Sequence, residues 1–555
     1  MLLTSSQLTA LDFTVVEPSV RSTTAYLQQL AAITKLFEQA QLRNSNLTAR
    51  SYQLDAAAIY CTRYKNVAAL SQGLGKTLIS TLVAANLYSQ TKRYGTIHIC
   101  IPNLTMLPRW LEDLKLVFAE SDIYCLSAKD FGGTALARKN NLIRGAKILI
   151  YTHDLLRAKA KGGHCYGHYL QRSARPSLLI IDEIHHFKDP HSLKYLALEP
   201  IARSAKRVLG LSGTLSEGSL ASVAAILQLV YQRDWIYFRQ EGQLANIYGS
   251  DVNLGLDYRS GEETASKNAK QLQTLQTDKL PEYFSLVRRY IHRLSIDDPQ
   301  ISNQINLPVS NFQSVELELN EEQNVAYQAE IDTSRSALIT LASSSLSSAA
   351  SIKTQSLLMN AIRICNCGVD EQTPIPKSEL TLDLVSKATK TVIFCQYVSS
   401  ARFIYRQLAS VWGQDRLIRV YAKDPEFTPI IQTPQQRWAA ISKFESDPTI
   451  VAGVFSLNLA AEAIDLVAAD RVIIYCSPWS SAKFDQCLRR TLRPGNRHPQ
   501  VDVYIIYHSR AIDSYQLQLI SAKQQIGRLL LDYTFEQSSE LDIDRELIKR
   551  SVLSL

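Results

Sequence analysis

The stretch "ALSQGLGKTLIS", Ala69 to Ser80, contains Gly73-Leu74-Gly75-Lys76-Thr77, the residue types of a phosphate-binding loop. Glycines 73 and 75 would let backbone N–H groups close around phosphates, and the start of a following helix would add its positive end. Lys76 would reach the β- and γ-phosphates of a nucleotide and Thr77 would hold Mg²⁺. The general pattern has a further glycine where Leu70 stands. A second candidate lies downstream, where "SLLIIDEIHHF" ends an apolar run in Asp182-Glu183-Ile184-His185. An acidic pair at the C-terminal end of a strand is where Mg²⁺ and an attacking water meet a nucleotide. Asp182 suits the metal, and Glu183 suits the general base that orients the water. Each element alone could be a helix cap or a solvated strand end. Together they point to nucleotide hydrolysis.

These residues need strands and helices to place them. Short apolar runs recur: "TIHICI", "AKILIY", "SLLIID" and "RVLGLSG", then "KTVIFCQY", "TIVAGVF", "RVIIYCS" and "VDVYIIYH". Each has the length of a buried parallel strand, and helical periodicity follows most of them. They fall into one group before Thr214 and another after Lys390. Between the groups lie long helical patterns and the Ser-rich piece "ASSSLSSAASI", Ala342 to Ile352, which reads as a loop or small-residue helix. The expected fold class is α/β, with two parallel-sheet lobes separated by helical material.

Composition bounds the rest. A chain of 555 residues exceeds one core. Sixty Lys and Arg against 52 Asp and Glu leave a mild +8, which permits a polyanionic partner without demanding one. Nine scattered cysteines argue against a disulfide framework and for a reducing interior. No apolar run approaches the roughly 18 residues of a membrane span, and "MLLTSSQLTALDF" lacks a secretion signal's pattern. An intracellular location, cytoplasmic or nuclear, is the expectation. Zinc is not expected at Cys365 and Cys367, whose spacing is one residue short of a knuckle, or at His164, Cys165 and His168, which read as a Gly-rich loop.

The order of these motifs resembles the Swi/Snf family of DNA translocases, helicase-type motors of the second superfamily, over nearly the whole chain. "LTARSYQLDAA" resembles the family's opening Arg-x-Tyr-Gln motif, which implies that Gln53 reads the adenine. "ALSQGLGKT" resembles its Ala-Asp-Glu-Met-Gly-Leu-Gly-Lys-Thr, which also lacks the early glycine. "ICIPNLTMLPRWLEDL", with Pro102 and Trp110, resembles a Pro…Trp motif. "ILIYTHDLL" resembles a Thr-Tyr-Asp segment, and "LGLSGTLSEGSL" a Leu-Thr-Gly-Thr-Pro motif with Leu215 for proline. "YFSLVRRYIHRL" with "INLPV" resembles the linker between lobes, and "VELELNEEQNVAYQ" with "LLMNAIRICNC" a helical insertion in the second. "PWSSAKFDQCLRRTLRPGNRHPQVDVYIIY" resembles the last motif, with Trp479, Gln486, Arg490, Arg493 and Gly495 in register.

The resemblance implies two RecA-like lobes with helical insertions and an interlobe ATP cleft. Gln486 would bind nucleotide, and Arg490 and Arg493 would reach the γ-phosphate. It implies a lobe over 46–295 with an insertion near 217–295, a linker over 296–312, and a second lobe over 313–530 with an insertion near 320–370 and a brace helix. Residues 1–45 would be an extension and 531–555 a tail. The implied cofactors are ATP and Mg²⁺, and the implied partners are double-stranded DNA and a DNA-bound protein, with the chain a monomer. One segment departs from the family: "SLNLAAEAIDLVAADRVIIY" has Ala460, Ala461, Glu462 and Ala463 in a glycine-rich motif, and Asp465 for asparagine. Leu492 replaces a histidine. An ATP-driven motor on duplex DNA is the expectation, with a strand-separating helicase or a weakly hydrolysing scaffold as alternatives.

Overall fold

Continuous apolar runs suit strands covered on both faces, because parallel sheets are sandwiched by their crossover helices. All the runs named above form strands, among them fully buried Ile97–Ile101 and Thr391–Cys395, while Gln500–His508 is only partly covered. The structure is a computed structural model. It describes residues 20–45, 47–90, 95–126, 146–158, 167, 170, 175–213, 215, 220–231, 249–252, 272–275, 289–296, 298–342, 359–421, 432, 434–457, 465–518, 520, 521 and 524. His164, Cys165, His168, residues 460–463, the Ser-rich piece beyond Ala342 and the tail 531–555 lie outside the described residues, as does much of both insertions. The chain divides into two units. One is formed by 1–304 with 525–539, and the other by 305–524 with 540–555.

The first unit contains helices α1 (Thr24–Arg43), α2 (Ser51–Thr62), α3 (Lys76–Ser89), α4 (Leu107–Leu114), α5 (His153–Arg157), α6 (Leu193–Ser204), α7 (Leu220–Tyr231) and the single turn α8 (Pro299–Ser302). Its main strands are β1 (Lys65–Leu70), β2 (Ile97–Ile101), β3 (Ile123–Cys125), β4 (Ile148–Thr152), β5 (Leu178–Ile181), β6 (Arg207–Ser212) and β9 (Ile291–Leu294). They form a parallel sheet in the order β3-β4-β2-β5-β6-β1-β9. β7 (Gly249–Val252) and β8 (Leu272–Leu275) form a separate antiparallel pair, so the insertion read as helical also contains strand. Because the main sheet is parallel, the C-terminal ends of β1, β5 and β6 share one edge, where ligands bind in such sheets.

The second unit holds a parallel sheet ordered β10-β15-β14-β11-β13-β12. These are β10 (Val309–Leu317), β11 (Thr391–Cys395), β12 (Leu417–Val420), β13 (Ala452–Ser456), β14 (Arg471–Cys476) and β15 (Gln500–His508). Helices α9 (Glu321–Ala342), α10 (Pro376–Ser386), α11 (Val398–Trp412), α12 (Pro434–Ser446) and α13 (Ser481–Thr491) connect them. Residues 512–518, which open the stretch read as a brace, are helical. β10 starts within the stretch read as a linker, and it is an exposed edge strand rather than a buried run.

One charged cluster locks this second core. Lys377, on the first turn of α10, is fully buried and donates to Asn366 Oδ1 and Asp513 Oδ2, each at 3.0 Å. Asp513 also accepts from the His508 N–H, at 3.1 Å, and from His508 Nδ1, at 2.9 Å. Burial opposes the charge on Asp513, but Lys377 and His508 outweigh it and hold the carboxyl well below its usual range. Cys365, His508 and Asp513 bring three potential metal-ligating atoms within 4.8 Å of one another. The Lys377 ammonium already supplies the positive charge there. Breaking a buried pair from one side leaves a stranded charge, at a cost of about 3–5 kcal/mol. Lys377→Met is therefore expected to destabilise the protein by that order in denaturant melts. Adding Asp513→Asn should recover much of the loss. A Lys377→Met melt indistinguishable from wild type would mean the pair carries no such weight.

Candidate active site

The phosphate-loop candidate leaves the end of β1 and enters α3. Gly73 and Gly75 adopt φ of 85° and 81°, a left-handed conformation that glycine takes without a side-chain penalty. A side chain at Gly75 would also press on the Gln53 amide. A Cβ on Gly75 would lie 2.3 Å from Gln53 Nε2. The loop is pinned at Ser71, whose N–H donates to Leu294 O at 3.0 Å and whose Oγ accepts from the Ile296 N–H at 3.2 Å. β9 therefore holds the loop from its far side.

Gln53 sits near the start of α2 and is buried. Its Oε1 accepts from the Arg50 N–H at 3.0 Å, and its Nε2 donates to Leu74 O at 3.0 Å. In this structure both ends of the amide clamp the loop to the helix. Lys76 and Thr77 open α3 and are both partly exposed.

Asp182 and Glu183 follow β5 directly. Asp182 is buried, and its two oxygens accept from Trp110 Nε1 and from the Glu183 N–H, each at 3.0 Å. Burial, then the charge of Glu183, pushes its carboxyl up to about 6 against the pull of Lys76 and Trp110. Glu183 has φ of 48° and ψ of 54°, an uncommon conformation for a residue with a side chain. Such a residue costs on the order of 1–3 kcal/mol and persists where neighbours fix it. Lys76 Nζ lies 3.3 Å from its Oε1, and His185 Nδ1 lies 3.3 Å from its Oε2. Burial raises the Glu183 carboxyl, but Lys76 and His185 prevail and hold it well below its usual range. His185 Nδ1 is also 2.9 Å from Ser212 Oγ at the end of β6. Gly213 follows, where a Cβ would meet Lys76 Nζ at 3.3 Å.

Lys76, Asp182 and Glu183 are thus brought together. Trp110 was visible as part of a motif, but its contact with Asp182, 72 residues away, was not. The bridge from Glu183 through His185 to Ser212 carried no sequence signal beyond the two motifs that contain it.

In the second unit, α13 carries Gln486, which is buried, and Arg490 in its last turn. Arg493 lies just past the helix and pairs with Asp465 Oδ1. The Leu466 N–H donates to Arg490 O at 3.0 Å, so the segments bearing Asp465 and the arginines are joined.

Residues 52–368 match the model of the SNF2-related domain, and residues 376–495 match the helicase conserved C-terminal domain. The chain belongs to the SNF2-related family. The two models in tandem place this SNF2-related chain among the ATP hydrolases of the helicase superfamily. It is similar to the human DNA excision repair protein ERCC-6, at 20% identity over 493 residues, covering 82% of this chain and 30% of that protein. It is also similar to Helicase ssl-1 of Caenorhabditis elegans, at 28% over 116 residues, covering 20% of this chain and 5% of that one. SNF2 domain-containing protein CLASSY 2 of Arabidopsis thaliana matches at 27% over 176 residues, or 30% and 13% of the two chains. This SNF2-related chain therefore spans less than a third of the length of these relatives. Among solved structures, the Sulfolobus solfataricus SWI2/SNF2 ATPase core in complex with dsDNA is 18% identical, with a TM-score of 0.38, covering 91% of this chain and 95% of that one. Among the described residues, no helix is long and apolar enough to cross a membrane.

Proposed function

We propose that this chain is an ATP-driven translocase on double-stranded DNA that remodels or displaces DNA-bound protein. The observation that carries the reading is the meeting of Lys76 with Glu183 beside Asp182, at the edge of a parallel sheet in an SNF2-related chain. A Cβ at Gly75 would intrude on Gln53 and one at Gly213 on Gln72 and Lys76, so glycine at both keeps the backbone uncovered where phosphates would bind. Thr77 and Asp182 offer oxygen donors, the chemistry Mg²⁺ prefers. Mg²⁺ bound there would neutralise charge on the phosphates. Lys76 would exchange Glu183 for the triphosphate, leaving the Glu183 carboxylate to orient water. Trp110 would hold Asp182 in its rotamer. Gln53 would set the loop against α2 beside the adenine, and Gln486, Arg490 and Arg493 would take the nucleotide roles implied by the motif they resemble.

The DNA part of the proposal rests on family membership and the modest positive charge of the chain. Contacts to phosphates would leave sequence preference slight and make binding salt-sensitive, with a log–log slope of about −0.9 per phosphate neutralised. The test is steady-state ATP hydrolysis with no DNA, single strands and duplex, beside triplex displacement and forked-duplex unwinding. Duplex should stimulate hydrolysis more than single strands, and a third strand should be displaced while the fork stays paired. Unwinding of the fork without triplex displacement would make the chain a strand-separating helicase. Salt-sensitive DNA binding with no ATP-dependent effect would make it a scaffold.

A further inference from the structure

Gln72 stands between Ser71 and Gly73 in the phosphate loop, where the similar family motif has methionine. Both polar atoms of its side-chain amide, Oε1 and Nε2, are buried and have no hydrogen-bond partner. A buried amide without partners is costly, and native proteins keep few of them. Methionine would fill similar space with no donor or acceptor to satisfy.

The place of this amide is informative. A Cβ on Gly213 would lie 2.9 Å from Gln72 Cγ and 3.3 Å from Lys76 Nζ. Gln72 and Lys76 therefore flank the same spot, and Lys76 Nζ is in turn 3.3 Å from Glu183. The Gln72 side chain thus runs, at its Cγ, beside the charged pair. Whatever completes it must accept from Nε2 and donate to Oε1. A phosphoryl oxygen can only accept, whereas water can also donate.

We infer that Gln72 is a further substrate-contacting residue, whose Nε2 donates to the terminal phosphate of a nucleoside triphosphate and whose Oε1 accepts from a water held beside it. The inference rests on the ATP-hydrolase reading above and adds a contact that discriminates triphosphate from diphosphate. In the free protein this amide is closed to solvent, so binding of substrate would have to turn it toward the phosphate.

Gln72→Met in the full chain tests this with one readout that needs no nucleotide. Thermal unfolding without ligand should shift upward by about 2 °C or more, because the variant no longer buries an unsatisfied amide. Affinity for a non-hydrolysable adenosine triphosphate analogue, measured by calorimetry with Mg²⁺, should fall about tenfold, the scale of one lost hydrogen bond to a charged group. Affinity for adenosine diphosphate should stay within twofold. The combination of a more stable free protein and weaker triphosphate binding is one that a merely structural glutamine cannot produce. A lower unfolding temperature, or equal losses for triphosphate and diphosphate, would overturn the inference. If the wild-type protein binds neither nucleotide, the ATP-hydrolase reading itself falls. Normal wild-type binding matched by Gln72→Met would sink this inference alone.

Discussion

Glu183→Gln is expected to lower steady-state ATP turnover by about 10²–10⁴-fold while leaving triphosphate affinity unchanged or a few-fold tighter. Glutamine keeps the shape and the left-handed backbone position but cannot orient and deprotonate water as a carboxylate does. The direction of the binding change follows from the pair in the free protein. Lys76 Nζ lies 3.3 Å from Glu183 Oε1, so a triphosphate must compete with a carboxylate for the same ammonium. Charge-assisted hydrogen bonds of this type are the stronger ones. Replacing the acid with a neutral amide removes the competitor. Single-turnover hydrolysis beside equilibrium titration separates the two effects. Wild-type turnover in the variant would show that Glu183 is not the base. Loss of binding and turnover together would make it a structural residue whose main task is to hold Lys76.

Arg493→Ala is expected to lower turnover by about 10³-fold, with nucleotide affinity within a few-fold of wild type, as for an arginine acting on a transferring phosphoryl group. In the structure Arg493 is tied to Asp465. That tie is weak in energetic terms. The side chains are 25% and 54% exposed, and pairs open to water contribute roughly 0–1 kcal/mol. Losing it cannot account for a thousandfold effect, and breaking it costs little when the arginine is needed elsewhere. Asp465→Asn, which restores the family's residue, discriminates further. It removes the pair but leaves Arg493, so turnover should remain within a few-fold of wild type. Equal, small effects from both variants would reduce Arg493 to a surface ion pair.

Much of the fold was legible because its strands are buried. Ile97–Ile101, Leu178–Ile181, Thr391–Cys395 and Arg471–Cys476 are covered on both faces, so nearly every position had to be apolar. The strands that escaped reading lie at edges or are short. β10 has the sequence "VSNFQSVEL" and is mostly exposed, which removes the apolar constraint. β9 has only four residues, including His292 and Arg293, yet it pairs with β1 and pins the phosphate loop through Ser71. Local pattern cannot report a strand whose meaning lies in its neighbour.

The sequence by itself determined which residues could do chemistry: the glycines at 73 and 75, Lys76 and Thr77 after them, and an acidic pair closing an apolar run. These signals are local, because a phosphate loop and a strand end are set by backbone conformation within a few residues. The tertiary structure decided what each side chain meets. It set Lys76 against Glu183 across 107 positions, joined Trp110 to Asp182 and Lys377 to Asp513, and closed both ends of the Gln53 amide within the protein. It also left the amide of Gln72 without a partner. Contacts of that kind depend on strand order and helix placement, which follow from burying the apolar surface of each lobe as a whole, and no short stretch of sequence contains that balance.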